Sequence, residues 1–169
     1  LIQIAVPSRE QVLEYQRLKT QVHQLVGEIN GQFGTLDYSP IQYLDQHIPF
    51  DRMCALYQRS DVCLVTSLRD GMNLVSFEYV ACQRDRHGVL VLSEFCGASQ
   101  SLGAGAITVN PWDIDEMANK IVAVLRHPPL ANTLREHASA EVQRMTWDKA
   151  AGECLELYRQ VCESERVDA

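Results

Sequence analysis

Apolar positions along the chain change period several times, and each change marks an element. Residues 1–6, LIQIAV, make a short β-rich run closed by Pro7 and Ser8, and Ser8 with Gln11 has the spacing of a capping box. From residues 10 to 29, Val12, Leu18, Val22, Leu25, Val26 and Ile29 recur at mostly helical spacing. They predict a long amphipathic helix that stops at Asn30 and Gly31. A short strand is predicted at 41–44, and a helix at 50–59 carrying Met53, Leu56 and Tyr57.

Three near-continuous apolar runs follow: VCLVT at 62–66, VLVLS at 89–93 and AITVN at 106–110. Such runs suit strands covered on both faces. A helix is predicted at 74–83, between the first two. Beyond residues 111–113, the spacing of Ile114, Met117, Ile121, Val124 and Leu125 predicts another, broken by His127, Pro128 and Pro129. Two more are predicted at 130–145 and 147–163, ahead of a polar tail at 164–169. Met117, Ile121 and Trp147 read as core.

Strands alternating with helices imply an α/β fold, a doubly wound, Rossmann-like parallel sheet with a helix-rich C-terminus. Residues 1–163 are expected to form one domain. Ligands of such sheets sit beyond the carboxyl ends of the strands. The segments LRDGMN, EFCGAS and residues 110–113 all lie there.

Composition narrows the chemistry. The 169 residues are 46% hydrophobic, enough for a sizeable core. A formal net charge of -7, with no basic run interleaved with aromatics, argues against nucleic acid. No apolar run approaches the roughly 18 residues of a membrane span. Six scattered cysteines without CxxC read as buried thiols of a reducing compartment, and five histidines without HxxxH spacing give no metal site.

The stretch LRDGMNLVSFEYVA carries the most chemistry. Gly71 is expected to allow a turn that a side chain would obstruct. Residues Met72 to Leu74 then open a helix whose first N–H groups lack intrahelical partners and favour an anion such as phosphate. Glu78, a turn deeper, could accept hydrogen bonds from the vicinal hydroxyls of a ribose. Asp70 would face the same cavity and accept from another polyol. A plainer reading stands beside this one: Asp70 as a helix cap and Glu78 as a partner of the helix dipole. Gly97 and Ala98 read as small residues that let backbone approach a ligand. Gly103 and Gly105 do not make a dinucleotide fingerprint, since they precede a strand.

TSLRDGMNLVSFEYVACQ, together with VLVLSEFCGASQSL, ITVNPWDIDEMA, LIQIAVPSREQVLEYQRL and INGQFGTLDYSPIQYL, resembles the C-terminal, donor-binding domain of trehalose-6-phosphate synthases. These are retaining glycosyltransferases of the two-domain B type. The resemblance implies transfer of glucose from UDP-glucose to glucose 6-phosphate without a metal or other cofactor. By motif, Asp70 resembles the carboxylate on the donor-glucose hydroxyls. Gly71, Met72, Asn73 and Leu74 resemble the backbone that meets glucose and diphosphate, and Glu78 the ribose-binding glutamate. Ile48, through its backbone, and Met53, by packing, resemble the wall beside the uracil.

No protein nucleophile stands out, which fits the family's internal-return mechanism, in which the leaving diphosphate helps deprotonate the acceptor. Phe77 replaces a lysine frequent in bacterial members and resembles eukaryotic ones. An arginine and a lysine for the diphosphate are expected upstream of Leu1, as is the N-terminal, acceptor-binding domain of the same parent chain. Each missing charged hydrogen bond would cost about 1.5 to 3 kcal/mol, so the 169 residues alone are expected to be inactive. The expected partners are UDP, UDP-glucose and, through the absent domain, glucose 6-phosphate. The cytoplasm is the expected location, and a homo-oligomer is left open. A non-catalytic regulatory or sensor homologue, or another nucleotide-sugar transferase of this fold, would carry the same motif.

Overall fold

The computed structural model describes residues 1–7, 11–83, 88–126 and 128–144, with residues 152 and 156, and groups the chain into two compact units, Leu1–Met53 and Cys54–Ala169. In the first unit, β1 (Ile2–Ile4) leads into α1 (Leu13–Phe33), which returns to β2 (Gln42–Leu44). The strands pair in parallel, with Ile2 opposite Gln42 and Ile4 opposite Leu44. Parallel pairing needs such a crossover, and the helix supplies it. A further helix, α2 (Phe50–Arg59), begins in this unit.

Two details of α1 differ from the sequence reading. Its N-cap is Val12, without a side-chain cap, and Ser8 of the expected capping box lies outside the described residues. The helix also runs through Gly31 to Phe33. Gly31 takes no left-handed dihedral, and the Gly34 N–H donates to the Asn30 carbonyl at 2.9 Å. Asn30 does not stop the helix because its amide is engaged elsewhere: Nδ2 donates to the Ile41 carbonyl, and the Ile41 N–H donates to Oδ1, each at 2.9 Å. That pairing fixes the chain one residue ahead of β2.

The second unit holds the rest of α2, then β3 (Val62–Val65), α3 (Leu74–Cys82), β4 (Val89–Ser93), α4 (Ser99–Leu102) with a 3₁₀ turn at Gly103–Gly105, β5 (Ile107–Val109), α5 (Ile114–Arg126) and α6 (Pro128–Arg144). Its three strands are parallel in the order β3-β4-β5, with Val62 opposite Val89 and Val91 opposite Ile107. Successive side chains of a strand point to opposite faces. Leu90 and Leu92 accordingly pack with Tyr79 and Val80 of α3 and Ala138 of α6, whereas Val89 packs with Val124 of α5. Helices therefore cover both faces, as the α/β reading requires.

All five residues of central β4 are buried. The outer strands are less covered than expected: Leu64 is 38% exposed, and Ile107 is only half-buried. Met117 and Ile121 are half-buried too, with Val124 the buried residue of α5. Trp147 lies outside the described residues, as does the helix predicted at 147–163 apart from Gly152 and Glu156, which are helical. No described helix is long and apolar enough to cross a membrane.

A polar knot ties α3 to the end of α2. Gln83 donates through Nε2 to the carbonyls of Tyr57 and Ser60, its Oε1 accepts from the Gly88 N–H, and Tyr79 Oη donates to the same Ser60 carbonyl at 3.1 Å. Part-buried carbonyls without partners would be costly, and these have them.

Candidate functional site

At the carboxyl end of β3 the chain turns through residues 67–73 before entering α3. The turn is organised around the Asp70 carboxylate. Asn73 Nδ2 donates to it at 2.7 Å, the Gly71 N–H at 2.8 Å and Ser67 Oγ at 3.3 Å. The Asn73 amide holds the Asp70 carboxyl below the usual carboxylate range, and with the Gly71 and Ser67 bonds it outweighs the opposing effect of burial. Asp70 is thus an exposed, fixed negative charge at the end of a strand.

Asn73 is the pivot of the turn. It takes φ 51°, in the left-handed region, and among the described residues no other non-glycine does so. Asparagine tolerates that region better than most residues. Its Oδ1 accepts from the Ser76 N–H at 3.0 Å, and Ser76 Oγ donates to the Asn73 carbonyl at 2.7 Å. Asn73 therefore caps α3 with one end of its amide and holds Asp70 with the other.

These bonds answer the plainer reading. Asp70 does not cap α3, and α3 has no acidic residue in its first turn. They also correct the expectation for Gly71, where a Cβ would meet nothing within 4 Å and where φ is not positive. The left-handed step is taken at Asn73 instead.

Gly97 and Ala98 are small for a different reason than expected. The Gly97 N–H donates to the Gly71 carbonyl at 2.8 Å, and a Cβ on Gly97 would stand 2.8 Å from that oxygen. Ala98 is buried in the core cluster of α3 and β4. The loop after β4 thus packs against the turn after β3, joined also by a parallel bridge between Asp70 and Cys96.

Glu78 lies on the second turn of α3 with its side chain exposed, and Tyr57 Oη donates to Glu78 Oε2 at 3.4 Å. Burial, followed by the charge of Glu78, pushes the Tyr57 phenol up to about 12, so it remains a donor at neutral pH. Met72 and Leu74 are exposed beside the Asp70 turn. Ile48 and Met53 belong to the first unit. There Ile48 is buried, and the Met53 N–H donates to the Pro49 carbonyl in the first turn of α2 at 2.9 Å. Beyond β5, Asn110, Trp112, Asp113, Ile114 and Asp115 line an open depression. Asp113 caps α5 there through the Glu116 N–H.

Sequence reasoning found Asp70, Asn73 and Glu78 but missed Ser67, Tyr57 and the 95–97 backbone. Tyr57 reads as one more apolar position of a helix. Residues 95–97 lie some 25 positions from the turn they hold, and only the sheet order brings them to it.

The family model described as glycosyltransferase family 20 matches residues 1–156. A UDP-forming alpha,alpha-trehalose-phosphate synthase 1 of Arabidopsis thaliana is 64% identical over 121 residues, which are 72% of this chain and 13% of that protein. A UDP-forming alpha,alpha-trehalose-phosphate synthase of Candida albicans is 59% identical over 128 residues, 76% of this chain and 27% of that protein. Among solved structures, an alpha,alpha-trehalose 6-phosphate synthase from Burkholderia multivorans superposes with TM-score 0.88 at 39% identity, covering 99% of this chain and 36% of that one. An E. coli structure described as bound with UDP-2-fluoro glucose superposes with TM-score 0.83 at 38% identity, covering 91% and 34%. The chain thus spans about a third or less of the length of these relatives.

Proposed function

The chain belongs to glycosyltransferase family 20, and from that premise we propose that it is the donor-binding part of a retaining, UDP-forming trehalose-6-phosphate synthase. The parent enzyme would move glucose from UDP-glucose to glucose 6-phosphate, with the acceptor held by a domain outside this chain. The observation that carries the reading is the Asp70 carboxylate, fixed by Asn73, Gly71 and Ser67 where β3 ends and α3 begins.

Each residue then has a role that its chemistry supports. Asp70 stays ionised and accepts from donor-glucose hydroxyls. Of the first N–H groups of α3, that of Ser76 is taken by Asn73, and the others with the helix dipole favour the diphosphate beside Gly71, Met72 and Leu74. Asn73 contributes its backbone, because its side-chain amide is already engaged at both ends. Glu78 accepts from the two ribose hydroxyls, steadied by Tyr57. Ile48 and Met53 are assigned to the uracil wall by motif.

No side chain here is offered as a nucleophile, and none is required. The protein would position the donor and stabilise the charge of the departing UDP, while a diphosphate oxygen assists removal of the acceptor proton. The reading includes no cofactor and no metal. The cytoplasm is the proposed location, in keeping with the thiols of Cys54, Cys63 and Cys96.

The test is an assay of the full-length protein with UDP-glucose and glucose 6-phosphate. Release of UDP together with trehalose 6-phosphate is expected, and neither from the 169 residues alone. A full-length protein that folds and releases neither product would overturn the assignment.

A further inference from the structure

We infer that Gly97, backed by Cys96, is a positioning residue for the donor turn, setting where the 70–72 backbone stands from the loop after β4. The inference rests on the donor-site reading above and adds residues to it that touch no substrate.

Four contacts run from this loop to the turn. The Asp70 N–H donates to the Phe95 carbonyl at 3.2 Å, and the Gly97 N–H donates to the carbonyls of Gly71 at 2.8 Å and Asp70 at 3.3 Å. Cys96 Sγ donates to the Gly71 carbonyl at 3.6 Å from a buried position in the core. The Asp70 and Gly97 N–H groups make a parallel bridge between Asp70 and Cys96 beyond the ends of β3 and β4, one residue out of the strands' own register. The turn is therefore held at a fixed height above the sheet instead of riding on its own loop.

The two glycines facing each other have unlike surroundings. A Cβ on Gly71 would meet nothing within 4 Å, but one on Gly97 would lie 2.8 Å from the Gly71 oxygen, 3.1 Å from its carbonyl carbon and 3.6 Å from the Met72 nitrogen. Gly97 has no left-handed dihedral, so space and not conformation is what demands glycine there. The obstructing atoms are backbone and cannot swing aside. Any side chain at 97 must push the Gly71–Met72 peptide outward, toward where the donor would sit.

A displaced peptide changes the direction of the Met72 N–H and the position of the Asp70 carboxylate together. Misplacement by about 1 Å typically lowers a rate by about 100-fold. Glucose 6-phosphate, bound by a different domain in this reading, would not sense the change.

The experiment is steady-state kinetics and UDP-glucose calorimetry on the full-length enzyme carrying Gly97→Ala, with Gly103→Ala as the control. A Cβ at 103 would make only an ordinary 3.8 Å contact with Thr108 Oγ1. The expected result is a kcat lower by about 100-fold and weaker UDP-glucose binding, with the KM for glucose 6-phosphate unchanged and the control like wild type. Should Gly97→Ala not fold, Cys96→Ala serves instead, with UDP-glucose affinity about three- to tenfold lower and Cys96→Ser restoring it. Wild-type donor affinity in the variant that folds would overturn the inference and leave the donor site standing. A wild-type enzyme that binds no UDP-glucose would overturn both.

Discussion

Asn73 donates from Nδ2 to Asp70 Oδ2 at 2.7 Å while its Oδ1 accepts from the Ser76 N–H, so one side chain joins the charged turn to the helix behind it. Asn73→Ala loses the cap and forces alanine to φ 51°, where asparagine sits with less strain. The expected cost is about 2 kcal/mol in urea denaturation. Asn73→Gly relieves the backbone and should recover about half of that loss. Donor affinity should be weakened by both variants, because both release Asp70.

The Asp70 carboxyl is held low by the Asn73 amide, with the Gly71 N–H and Ser67 adding to it. A carboxyl lower in the folded than in the unfolded state stabilises above its unfolded pKa, about 3.9, and that stabilisation is lost as pH falls through the folded value. Asp70 should therefore remain ionised from pH 7 down to about 4. Following its carboxyl carbon by NMR should show protonation only below that, and at higher pH in Asn73→Ala.

Tyr57 holds Glu78 as a neutral phenol, pushed up to about 12 by burial and then by the Glu78 charge. A phenol raised above its ordinary pKa of about 10 stabilises fully below that value, and the contribution is lost as pH rises through the folded one. Tyr57→Phe should lower UDP affinity about two- to fivefold, as expected of one long hydrogen bond. A late step of the alkaline tyrosine absorbance titration should vanish with it, while the Tyr79 step, pushed higher still by burial, remains.

Gln83 bonds the carbonyls of Tyr57 and Ser60 and the N–H of Gly88. Gln83→Leu leaves one buried and two part-buried backbone groups with fewer partners, at an expected cost of about 2 to 4 kcal/mol in chemical denaturation. Tyr79→Phe removes one of two donors from the Ser60 carbonyl and should cost about 1 kcal/mol.

Much of this arrangement is legible in the sequence, because its cause is local. The runs at 62–66 and 89–93 are apolar since a covered parallel strand needs both faces apolar, and both became strands. Asp70, Asn73 and Glu78 sit on a strand-turn-helix connection that the sequence specifies within a dozen residues. The expectation that a side chain at Gly71 would obstruct the turn failed, because a Cβ there meets nothing within 4 Å and the unusual dihedral falls on Asn73. The end of α1 was misplaced because Asn30 spends its amide on Ile41, a choice made by the fold and not by the helix. The contact of Gly97 with Gly71 depends on β3 and β4 being neighbours in the sheet, and nothing near residue 97 encodes that.

The central claim is that the turn at Asp70 and the glutamate at 78 hold the two ends of a nucleotide sugar. Calorimetric titration of the full-length protein with UDP and with UDP-glucose, for wild type, Glu78→Ala and Asp70→Asn, tests it most directly. Glu78→Ala should weaken both ligands by about tenfold or more, the loss of hydrogen bonds to a charged group. Asp70→Asn should weaken UDP-glucose while leaving UDP nearly unchanged. Wild-type affinities for both ligands in both variants would contradict the account.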